Sequence, residues 1–63
     1  MTESTNKIFE KIESEFEDMK SNHTDFAEKG NKAAGRRARK AASNLKKLMV
    51  PYRKTSVDES KEL

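Results

Sequence analysis

The stretch Ala27-Glu28-Lys29-Gly30-Asn31-Lys32-Ala33-Ala34 decides how this chain folds. Gly30 takes the left-handed conformation that closes a helix more readily than any residue with a Cβ, and Lys29 suits the negative end of a helix dipole. Asn31 is a good N-cap, because its side-chain oxygen can accept an amide proton from the first turn of a following helix. A helix stop and a helix start are therefore adjacent. The turn over residues 29–31 is therefore tight, and a tight turn between helices makes an antiparallel helical hairpin.

Upstream of the turn, Phe9, Ile12, Phe16, Met19, His23 and Phe26 recur at alternating steps of three and four, which is a heptad seam, and Ile8 lies on its flank. Good helix formers fill most other positions. Ser21-Asn22-His23-Thr24 is the weak point, but the seam runs through it in phase, so one helix is expected over about 4–28. Downstream, Ala34, Ala38, Ala41, Leu45, Leu48 and Tyr52 form a second seam. Gly35 lies off it and costs about 1 kcal/mol relative to Ala. Pro51 lacks an amide donor and clashes with the preceding turn, which predicts that regular helix ends near 50. The expected organisation is a hairpin over 1–54, with the second helix over about 32–50, and a flexible acidic tail over 55–63.

Folding the seams together sets Phe26 near Ala34, Met19 near Ala41, Phe16 near Leu45 and Phe9 near Tyr52. The fold class is all-α. A chain of 63 residues with 32% hydrophobic and 40% charged content has room for one small unit and no enclosed pocket, which argues against an enzyme. Its mean hydropathy of −1.12 belongs with disordered chains, but the two seams answer that reading. Each seam of an isolated hairpin keeps one side in water. A homodimer completing a four-helix arrangement is the expected remedy.

The net charge of +3 conceals a strong asymmetry. Residues 1–29 carry eight acids against four lysines, a net of −4. Residues 30–54 carry nine bases and no acid, a net of +9, and residues 55–63 return −2. At about 100° per residue, Lys32, Arg36, Arg39, Lys40, Lys46 and Lys47 fall within about 60° of the direction opposite Ala34, with Arg37 at the flank. An ordinary solvated helix face mixes signs for i,i+4 pairing, and this one does not. A row of bases suits a polyanion whose phosphates recur every ~1.7 Å of duplex. With Ser43 as its one polar uncharged side chain, the row offers little chemistry for reading base edges, so sequence-tolerant binding is expected.

These residues carry a resemblance. The segment AEKGNKAAGRRARKAASNLKKLMVPYRK, residues 27–54, resembles the core of bacterial linker-histone-like proteins of the chlamydial type. The shared elements are Gly30-Asn31-Lys32-Ala33-Ala34, the Arg37-x-Arg39 pair, a Leu-Lys element and Tyr52-Arg53-Lys54. The acidic helix before them also suits that family. The resemblance implies a cytoplasmic, nucleoid-associated protein that binds double-stranded DNA without strong sequence preference and compacts it. It implies phosphate contacts from Lys32, Arg36, Arg37, Arg39, Lys40, Arg53 and Lys54. The chain departs from the family where acidic VDESKEL stands in place of a Lys/Ala-rich tail, and where Pro51 enters the basic helix.

Other readings weigh less. A helical adaptor docking its basic helix on an acidic protein is the alternative function. A membrane-surface helix is disfavoured because its apolar face would be mostly Ala. His23 has no second histidine with which to share a metal, and without cysteine there is no thiolate site; no cofactor is expected. Glu10, Glu13, Glu17 and Asp18 read as a solvated face rather than paired catalytic acids. The sequon Asn22-His23-Thr24 follows no secretory apolar segment and reads as chance.

Overall fold

The computed structural model describes residues 2–62, with side chains from Thr5 to Glu62; Met1 and Leu63, the limits of the expected hairpin and tail, lie outside that range. Helices α1 (Thr2–Lys29) and α2 (Lys32–Ser60) pack antiparallel, and no strand occurs among the described residues. The Cα trace forms a rod of 48 × 14 × 11 Å. The all-α hairpin expected from the Gly30-Asn31 pair is the observed fold.

The turn works as its residues dictate. Gly30 has φ of 67°, and its amide donates to the Phe26 carbonyl at 3.1 Å, closing α1. Asn31 adopts an extended conformation and its Oδ1 accepts from the Ala34 amide at 3.1 Å, opening α2. The weak stretch in α1 stays helical. There the side chains of Asn22 and Thr24 donate back to the carbonyls of Asp18 and Lys20, at 2.9 and 3.0 Å, and so do not compete for the backbone of the next turn.

Two expectations need correction. The first is the extent of α2, which runs through Pro51 to Ser60 instead of ending near 50, so residues 55–60 are helix and not tail. Pro51 is exposed, and lacking an amide proton it offers none to the Lys47 carbonyl one turn earlier. The far end is anchored by Glu59, whose carboxylate accepts from the amide of Thr5 at 3.2 Å and from the Thr5 hydroxyl. Antiparallel packing brings this acid from the unfavourable end of α2 to the positive end of α1.

The second correction concerns the α1 seam. Its inward residues are Thr5, Ile8, Ile12, Glu15, Met19 and Asn22, a stripe rotated slightly from the expected one. Phe9, Phe16 and Phe26 remain 49%, 54% and 44% exposed, and His23 is exposed as well. The α2 seam is as expected, with Ala34, Ala38 and Ala41 buried and Leu45, Leu48 and Tyr52 half-buried. Small residues there draw the helices together, and three phenylalanines cannot fit between backbones that close. The rings lie along one side of the gap instead. The Phe9 and Tyr52 rings sit 6.5 Å apart, and the Phe26 ring covers Gly35, which is buried.

Candidate nucleic-acid interface

Because α2 is continuous, its outward face is longer than the sequence suggests. Lys32, Arg36, Arg39, Lys40, Lys46 and Lys47 are all exposed on the side away from α1. Lys54 rejoins them beyond Pro51, about 200° from the inward direction at 100° per residue. From Lys32 to Lys54 the row spans about 33 Å at 1.5 Å per residue. Val50, 69% exposed, is an apolar interruption between the Lys46-Lys47 and Arg53-Lys54 pairs. None of these bases forms an ion pair among the described residues, where the one such pair joins Lys29 to Asp25 at 3.6 Å. The bases of the face are therefore not directly paired with acids of the described residues.

Two of the expected contacts lie elsewhere. The Arg37 Nε donates to Asn22 Oδ1 of α1 at 2.8 Å, which holds the guanidinium on a polar flank of the hairpin. Arg53 is exposed, but lies about 100° from the inward direction, at the edge of the row. The structure also brings together residues not foreseen from sequence. Asn44 Nδ2 donates to both oxygens of Glu15, at 2.9 and 3.3 Å, on the same flank as Arg37 and Asn22. A signal for these pairs is present in the sequence. Glu15 and Asn22 are seven residues apart, as are Arg37 and Asn44, so each helix carries a polar heptad row beside its apolar one.

A basic, unpaired helix face on a hairpin built around Gly30-Asn31 is the context in which the family comparison has meaning. The histone H1-like protein Hc1 family matches residues 6–62. The chain belongs to that family. No curated protein and no solved structure matches it. The Hc1 match takes in all of α2 and nearly all of α1, and so extends well beyond the basic segment. Among the described residues of this Hc1-family chain, no helix is long and apolar enough to cross a membrane, and no cluster of acids and histidine could hold a metal ion.

Proposed function

We propose that this protein is a nucleoid-associated, histone-like DNA-binding protein that holds double-stranded DNA by its phosphates and contributes to chromosome compaction. The observation that carries the reading is the unpaired basic face of α2, and membership of a histone H1-like family supports it. Lys32, Arg36, Arg39, Lys40, Lys46, Lys47 and Lys54 contact phosphates directly. Arg37 and Arg53 contribute from the two edges. Ser43 and Val50 offer few groups for base edges, so unrelated duplexes of equal length bind within about tenfold of one another. The molecule acts as a homodimer, with the exposed phenylalanines of two hairpins packed against each other.

Titration with random duplex DNA over a series of salt concentrations tests the reading. With these seven bases each neutralising a phosphate, log affinity falls against log salt with a slope of roughly −6 per hairpin, at about −0.9 per contact. A slope near zero, or a Glu substituted at Arg36 without effect on affinity, removes the DNA reading and leaves an adaptor for an acidic protein.

A further inference from the structure

The hairpin has four long sides, and their chemistry differs. The outer side of α1 is acidic and the outer side of α2 is basic. One flat side carries the polar pairs Glu15–Asn44 and Asn22–Arg37. The other carries the rings. On α1, Phe9, Phe16 and His23 are seven apart and share a direction; on α2, Gly35, Ala42 and Met49 do the same. Phe26 over Gly35 and Phe9 against Tyr52 each tie one of these rows to the facing helix, and the rotation of an antiparallel pair sets both rows on one side of the gap.

We infer that a second copy covers this apolar side with its two-fold axis parallel to the helices, and that the dimer thereby bridges two DNA duplexes. The inference rests on the DNA reading above. A closed two-fold pairing through one flat side keeps its axis in the plane of contact, and with the helices of the two copies aligned it takes one of two forms. With the axis across the helices, α2 stacks on α2, and the heptad row Arg39-Lys46-Arg53 that borders the apolar side meets its own copy. Like charges would then line one rim of the interface. With the axis along the helices, α2 of each copy stacks on α1 of the other, and that basic row meets the rim of α1 that carries Glu13, Glu17 and Lys20. The second arrangement sets the basic row against a rim of net negative charge in place of its own copy, and this difference selects it. Rotation about a parallel axis leaves heights unchanged. Since Glu15 pairs with Asn44 and Phe9 with Tyr52, Lys46 of one copy stands level with Glu13 of the other, and Arg39 stands level with Lys20. The same rotation turns the two basic faces to opposite sides of the bundle. One duplex cannot reach both faces of so thin a body, so each face takes its own.

The experiment pairs sedimentation without DNA with a two-duplex capture, in which an immobilised duplex retains a second, labelled one. The wild-type chain is expected to dimerise and to retain the labelled duplex. Phe16→Glu alters an exposed ring, so the hairpin stays helical by circular dichroism and still binds a single duplex. Its dimer weakens by at least about tenfold and the capture is lost. Glu13→Arg is expected to weaken the dimer because it meets Lys46 of the other copy, and Glu13→Arg combined with Lys46→Glu restores it. A Glu13→Arg dimer as tight as wild type, or a wild-type dimer that binds one duplex and never retains a second, overturns the arrangement. Failure of the DNA reading shows separately, as loss of single-duplex binding by every form while sedimentation still reports the charge swap; bridging falls with it.

Discussion

Gly35 and Arg39 are four residues apart on α2 and face opposite demands. A Cβ at Gly35 would lie 2.7 Å from Cδ1 of Phe26, so the residue that weakens the helix in isolation is the one that seats a ring. Gly35→Ala should gain up to about 1 kcal/mol of helix propensity yet displace the ring. A net loss of about 1 kcal/mol in urea unfolding is expected, because a ring swung into water forfeits its burial. Measured stabilisation would contradict this packing. Arg39 makes no contact that the fold needs. Arg39→Ala should leave stability unchanged, make the salt slope shallower by about one and weaken all sequences alike. Arg37→Ala should change that slope less and stability more, because its Nε already serves Asn22. Gly35 was legible as a helix weakener and not as a ring seat, since its partner is nine residues back across the turn.

At the scale of the helices, the contest is over where α2 stops. Pro51 removes one backbone hydrogen bond, an effect of up to about 3 kcal/mol in a helix interior. The helix continues because Tyr52 packs with Phe9, and Glu59 holds the first turns of α1. Pro51→Ala should therefore raise the urea midpoint, by about 2 kcal/mol in free energy, without altering the salt slope of DNA binding. Glu59→Ala should cost about 1 kcal/mol and increase amide exchange at Thr5, since one carboxylate serves two donors there. Deleting residues 57–63 then has two opposed effects. It removes Asp58 and Glu62, which repel phosphates near the end of the basic row, and it removes the Glu59 clamp. DNA affinity at low salt should rise while thermal stability falls, and a deletion that changes neither would refute both roles.

The whole molecule is a rod with a different chemistry on each side, and its stability is shared between the hairpin and whatever covers the rings. Phe16 illustrates this. A fully buried ring replaced by Ala costs roughly 3 kcal/mol, but at 54% exposure the isolated hairpin should lose only about 1 kcal/mol. The larger effect appears in association. The wild-type unfolding midpoint should rise with protein concentration, and that dependence should be much reduced in Phe16→Ala. A midpoint independent of concentration in the wild type would show that the hairpin stands alone.

The hairpin, its turn and the charge of each arm follow from the sequence alone. Gly30 and Asn31 act through their own backbone preferences, and charge order along a helix is set by a fixed angle per residue. The family resemblance is legible for the same reason, being carried by residues close together in the chain. Tertiary structure decided which α1 stripe faces inward. A heptad pattern specifies a seam to within one neighbouring row, and the choice between rows depends on how closely the partner helix approaches. Here Ala34, Ala38 and Ala41 bring the backbones together, leaving the rings outside and admitting the Glu15–Asn44 and Asn22–Arg37 pairs. The length of α2 was decided in the same way. Local chemistry at Pro51 argues for a stop, and contacts with a helix some forty residues earlier in the chain outweigh it.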